Sequence, residues 1–213
     1  IIISGGGVLY SEAEEEISAF AKKHNIPVTA TVMGIGCMNK DDPYYISAIG
    51  CLGEGSSNNL ATDTDLALAV GTKLGDFTTG SWTNFENENF QLVSINTSRF
   101  DTTKHRATPV VSDAKVGLIE LSKALGNWKA PNEWYNKSLE ERKTWDDYVA
   151  KQSGPTNQEL PSYAHAVGAV YRNSDPSDIV VTAAGGLVGE VVQIWKPKQL
   201  NTFETEWGFS CMG

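Results

Sequence analysis

The chain has 213 residues, 40% of them hydrophobic and 20% charged, with a formal net charge of -9 and a pI near 4.8. That balance suits a globular chain of one or two domains and excludes the electrostatic attraction on which nonspecific binding to nucleic acid or an anionic membrane depends. Cys37, Cys51 and Cys211 are widely spaced and form no Cys-x-x-Cys pair, so neither a disulfide framework nor a zinc site is expected; with no apolar run near the ~18 residues of a membrane span, the expected location is the cytoplasm.

The chain opens without Met on Ile1-Ile2-Ile3 and stops at Ser210-Cys211-Met212-Gly213 with no cap or tail, so both ends are expected to be cut through structure. Ile1 to Ile3 predict a strand, Ser4-Gly5-Gly6-Gly7 a turn, and Ser11-Glu12-Ala13-Glu14 a capping box opening a helix. Ala13, Ile17, Phe20 and Ala21 form that helix's apolar face, with acidic residues in its first turn and Lys22 and Lys23 in its last. Ile26 to Thr31 predicts a second strand of a right-handed crossover unit. Leu66 to Val70 and Gln91 to Ile95 repeat the pattern of strands buried on both faces. Asp113 caps a helix carrying Val116, Leu118, Leu121 and Leu125. Residues 1–130 therefore predict a doubly wound, Rossmann-like α/β domain with a parallel sheet. Residues 131–160 predict a helical connector with a turn-rich end. Residues 161–213 predict the truncated beginning of a second α/β domain: a helix over Tyr163 to Tyr171, a strand over Asp178 to Thr182, the turn Ala183-Ala184-Gly185-Gly186, and a helix towards Trp195.

Few of the motifs carry chemistry by themselves. Gly5-Gly6-Gly7 could cradle a phosphate, but Tyr10 stands where a third fingerprint glycine belongs and no acid closes the second strand. A tight structural turn is the better expectation. Gly34, Gly36, Gly50, Gly53 and Gly55, with Ser56 to Asn59, fit either a ligand-facing edge or a surface loop. Asp76 to Trp82 offers hydroxyls, a carboxylate and an aromatic wall in a loop. His24, His105 and His165 are far apart and predict surface or capping roles, and Glu204 and Glu206 predict side chains facing water. Gly185-Gly186 repeats the anion-cradle pattern between a strand and a helix.

Four stretches together resemble one family, the thiamine-diphosphate-dependent 3D-(3,5/4)-trihydroxycyclohexane-1,2-dione acylhydrolases of myo-inositol catabolism. They are Ile3 to Ala13, Val70 to Trp82, Thr182 to Leu187 and Glu206 to Gly213. The resemblance implies that 1–130 is the central domain of a thiamine enzyme and that 161–213 is the N-terminal part of its diphosphate-binding domain. It implies thiamine diphosphate and Mg2+ as cofactors and a small cyclic diketone as substrate, opened by carbon-carbon bond cleavage with the cofactor as electron sink and released as 5-deoxyglucuronate. Gly185, Gly186 and Leu187 match positions that contact the diphosphate, and Ser210, Cys211 and Met212 fall at the aminopyrimidine, with Met212 as the apolar wedge that bends the cofactor. No catalytic residue or metal ligand is expected in the chain: the activating Glu belongs to an earlier domain and the metal ligands lie beyond Gly213. The complete protein is expected to be a homodimer or homotetramer, and this chain alone inactive. Met33-Gly34-Ile35-Gly36 departs from the Gly-Lys common in relatives, and Val188 stands where a proline is expected. An acetohydroxyacid-synthase-like carboligase and a nucleotide-binding or purely structural central domain are the alternatives.

Overall fold

The computed structural model describes residues 1–206. The chain begins with β1 (Ile2–Ser4), a short α1 (Gly6–Tyr10), α2 (Glu14–His24) and β2 (Val28–Ala30). Then come β3 (Tyr45–Ala48), α3 (Gly55–Asp63), β4 (Leu66–Val70), α4 (Asp76–Thr79) and β5 (Gln91–Asn96). A short α5 (Arg99–Thr102), β6 (Thr108–Val111) and α6 (Ala114–Leu125) complete a six-stranded unit. The rest consists of α7 (Asn132–Gln152), α8 (Tyr163–Asn173), β7 (Val180–Thr182), α9 (Gly186–Ile194) and β8 (Phe203–Thr205).

All pairings in the first sheet are parallel, in the order β3-β2-β1-β4-β5-β6, which is the doubly wound arrangement the apolar strands predict. Alternate side chains of a strand point to opposite faces, so β1 feeds two cores. Ile2 joins Val28, Leu68, Ile17, Phe20 and Leu118 on the face covered by α2 and α6. Ile1 and Ile3 join Ala67, Ala69 and Leu60 on the face covered by α3. Full burial of each such aliphatic side chain is worth about 1.5–3 kcal/mol, which is why the sheet's centre is almost entirely Ile, Leu, Val and Ala.

Local readings changed where distant partners intervened. Helix α2 starts at Glu14 with Ala13 as N-cap and no side-chain cap, so the Ser11-Glu14 box does not form. Ser11 Oγ instead donates to Asp113 Oδ2 at 2.6 Å, and Asp113 also accepts from the Val116 amide at 3.2 Å as the N-cap of α6. Among the described residues a capping box forms at α8, between Ser162 and His165, as the capping expectation for His165 allows. His24 is no surface residue: it is fully buried, with Nδ1 2.8 Å from Trp128 O and Nε2 3.1 Å from Ser122 Oγ. The apolar face of α6 is narrower than predicted, since Leu118 is buried while Val116 is exposed.

Helix α7 packs along α3 and is fastened by Arg142, whose guanidinium donates to Asp42 O (2.7 Å), Tyr45 O (2.8 Å) and Lys40 O (2.6 Å). Beyond it, β7 and β8 pair in parallel, Val180 opposite Phe203. Val188, Val191, Val192 and Ile194 of α9 pack into the same core as Val8 and Ile35. Among the described residues no helix is long and apolar enough to cross a membrane.

Candidate functional site

The strand order reverses between β1 and β4, and a cleft of about 510 Å³ opens there at the carboxyl edge of the sheet. Gly6, Met33, Lys73, Asp76 and Phe77 are among its walls. The glycine triplet beside it is structural. A Cβ on Gly5 would lie 2.4 Å from Gly71 O, and one on Gly7 would lie 2.6 Å from Gly71 Cα. Gly5 N donates to Val70 O at 2.8 Å and Gly7 N to Gly71 O at 2.9 Å, so two of the three amides are already committed to the chain. The tight-turn expectation holds only at Gly5, since Gly6 and Gly7 already open α1, and with two amides committed the triplet offers little to a phosphate.

The second glycine-rich stretch is packed rather than exposed, contrary to the surface-loop reading. Gly34, Gly36, Gly50 and Gly53 are all buried. A Cβ on Gly50 would fall 2.2 Å from Phe77 O, and Asn58 holds Gly50 through both its amide and its carbonyl, at 2.9 and 3.0 Å. The Asp76 to Trp82 stretch lies directly over this loop: Cys51 N donates to Phe77 O at 2.7 Å. Its end is bent through three successive left-handed residues, Gly80, Ser81 and Trp82, at φ 57°, 53° and 70°. Trp82 then packs against His105 with ring centroids 4.2 Å apart. Burial, and secondarily Lys104, lowers the His105 pKa, with Asp76 acting in the opposite sense.

The turn after β7 has a different character. Gly185 adopts φ 101° and ψ 178°, a conformation essentially reserved for glycine, although a Cβ there would meet nothing within 4 Å. Backbone shape, not crowding, selects the residue. Gly185 is the N-cap of α9 and no side chain caps that end, so Gly185, Gly186 and Leu187 meet at a nine-residue helix's N-terminus. Such an end presents unpaired amides and the positive pole of the helix dipole, a combination that suits an anion. Ser210, Cys211 and Met212, predicted to share the site, lie outside the described residues. Glu204 faces out from β8 between buried Phe203 and Thr205, as alternation requires. Among the described residues no cluster of three or more His, Cys, Asp or Glu side chains is arranged to hold a metal.

One titratable group is absent from the sequence reading. Glu54 is 1% exposed, accepts hydrogen bonds from Ser47 Oγ and Ser56 Oγ, and has its carboxyl pushed up to about 7, chiefly by burial. In the sequence it is one acid in a glycine-serine stretch, with no local sign of burial.

The family model described as "Thiamine pyrophosphate enzyme, central domain" matches residues 1–121. The chain belongs to that family. The matched segment holds the whole six-stranded sheet and ends within α6. Similar curated proteins carry the name 3D-(3,5/4)-trihydroxycyclohexane-1,2-dione hydrolase. The protein from Geobacillus thermodenitrificans is 32% identical over 236 residues, covering all of this chain and 36% of the relative. That from Clostridium tetani is 33% identical over 237 residues, covering all of this chain and 37% of the relative. The chain thus spans little more than a third of the length of these relatives.

Proposed function

We propose that this chain is part of a longer thiamine-diphosphate-dependent hydrolase that cleaves a ring carbon-carbon bond of trihydroxycyclohexane-1,2-dione, yielding 5-deoxyglucuronate in inositol breakdown. The observation that carries the reading is end-to-end similarity of the chain to hydrolases of that name, on a family model for thiamine enzymes. In this reading residues 1–130 are the central domain, 131–160 a connector and 161–213 the opening of the diphosphate-binding domain. The complete enzyme is a cytoplasmic homodimer or homotetramer.

The residues present fit the cofactor's most highly charged part. The first-turn amides of α9, reached through the left-handed Gly185, are suited to seat a diphosphate, with Gly186 and Leu187 beside it. Ser210, Cys211 and Met212 are assigned to the aminopyrimidine end, Mg2+ to ligands beyond Gly213, and the activating Glu to a segment before Ile1. When bound, thiamine diphosphate supplies a carbon nucleophile and an electron sink for breaking a bond next to a carbonyl. The chain's own contribution is to seat the anion on backbone amides and to pack α9 against the core through Val188, Val191 and Val192.

The test is ring opening by the full-length gene product, followed by loss of the diketone, with and without thiamine diphosphate and Mg2+. Cofactor-dependent consumption supports the reading, whereas consumption of pyruvate with no action on the diketone assigns the protein to carboligases. Residues 1–213 alone are expected to show no turnover, since the activating Glu and the metal ligands are assigned elsewhere.

A further inference from the structure

Glu54 is buried between the six-stranded unit and the charged groups of Asp146 and Lys196. Glu54 directly precedes α3; its carboxyl accepts from Ser47 of β3 and Ser56 of α3. The charged groups acting on it are Lys196, just past the end of α9, and Asp146 of α7. Tyr45 of β3 also faces it, and its phenol is kept protonated by burial. Arg142 completes the surroundings but is committed to three backbone carbonyls and leans on Asp146 at 3.7 Å.

Lys196 therefore has two acidic neighbours of opposite character. It rests on Asp146, which is 43% exposed and keeps much of its hydration, while its own side chain is 17% exposed. Glu54 is enclosed, and the donors to its carboxyl are the hydroxyls of Ser47 and Ser56. That arrangement suits a neutral carboxylic acid, and an ionised one there demands a cationic partner.

We propose that Lys196 is a two-position side chain, resting on Asp146 while Glu54 carries a proton and drawn inward to the Glu54 carboxylate once that proton passes to solvent. Lys196 follows Trp195 directly, and Tyr171 OH donates to Lys196 O at 3.0 Å with its ring edge-on to Trp195 at 5.3 Å, so the movement is transmitted to the end of α9. Helix α9 opens at Gly185 to Leu187. Tuning of that cradle by the Glu54 proton rests on the proposed cofactor reading; the lysine exchange does not.

The experiment is NMR on residues 1–213 from about pH 5 to pH 9, the window in which a buried acid with a raised pKa changes charge. Side-chain carboxyl 13C resonances report Glu54, assigned with Glu54→Gln, and 5-fluorotryptophan reports Trp195, assigned with Trp195→Phe. The expected result is a Glu54 midpoint near 7 and a Trp195 shift with the same midpoint. The Trp195 shift is absent in Glu54→Gln and in Lys196→Met, and the second variant moves the Glu54 midpoint upward. Should Glu54→Gln not fold, Lys196→Met carries the test alone. The proposal is overturned by a Glu54 midpoint in the range of an exposed carboxylate, by a Trp195 signal that stays flat while Glu54 titrates, or by a Trp195 step that survives in either variant.

Discussion

Gly7 and Gly71 meet backbone to backbone: the Gly7 amide donates to Gly71 O at 2.9 Å, and a Cβ built on either residue would lie 2.6 Å from the other's Cα. This contact lets the turn after β1 close on the end of β4, at the point where the strand order reverses. Gly71 also sits at φ 63°. Gly71→Ala is therefore expected to lower stability by at least about 2 kcal/mol, through strain and overpacking together. Urea unfolding followed by far-UV circular dichroism measures it, and a loss under half of that would mean the two turns separate easily.

Gly185 and Gly186 make a contrasting pair. Gly185→Ala places a side chain at φ 101° with open space around it, so its cost, about 1–3 kcal/mol, is pure backbone strain. Gly186→Ala sits in helical backbone with the nearest atom, on Tyr163, at 3.7 Å, and is expected to be neutral or slightly stabilising. In the full-length protein the first change is expected to weaken thiamine diphosphate binding more than the second, as read by calorimetric titration.

Glu54 makes stability depend on pH. Its carboxyl sits near 7 when folded and near 4.5 when exposed, so between those values the folded chain holds a proton that the unfolded chain has lost. Stability contributed this way is fully present below about 4.5 and is lost as pH rises towards 7 and beyond, a fall of about 3 kcal/mol. Glu54→Gln is expected to flatten that decline. Urea midpoints at several pH values for both chains decide it, and parallel curves would remove Glu54 as the cause.

Arg142 gives α7 its grip. Lysine retains the charge but cannot supply three carbonyls at once from a planar fork, so Arg142→Lys is expected to cost about 2–3 kcal/mol. Faster amide exchange should follow in α7 and in the 39–45 loop. Exchange confined to α7 would show that the loop holds itself.

Thiol labelling checks the packing of the second glycine-rich stretch. Cys37 is buried, with its thiol pushed up to about 12 mainly by burial, whereas Cys51 is exposed. Iodoacetamide near neutral pH should modify Cys51 well before Cys37, as quantified by peptide mass mapping. Equal rates would mean that the core around Cys37 opens readily.

The sheet was legible wherever strands are runs of Ile, Leu, Val and Ala, as in β1, β4 and β5. β3 and β6 were not anticipated: Tyr45–Ala48 follows a turn rich in Asp and Pro, and Thr108–Val111 contains Pro109, tolerated because β6 is an edge strand. The Ser11-Glu14 box is absent because Ser11 closes α1 and Glu12 takes a left-handed φ of 49°, so α2 opens only at Glu14 and the Ser11 hydroxyl donates to Asp113, 102 residues away. His24 was misjudged for a related reason, since its partners come from the far end of the six-stranded unit. Around Gly185 and Gly186 the strand-turn-helix order was legible, and β7 and α9 flank them. Glu54 was not, because burial of a lone acid depends on what three separate elements place around it.

The central position of β1 has a consequence in time. β1 precedes both of its neighbours, β2 and β4, in the chain, and the imidazole at the end of α2 finds its partners only at Ser122 and Trp128. In order of synthesis Ile1 to Ile3 therefore wait, apolar and paired on one side at most, until β4 has emerged, and His24 waits longer for Ser122 and Trp128. Slowing synthesis before β4 has emerged should expose Ile1 to Ile3 to holding chaperones, and slowing it after α6 has emerged should not.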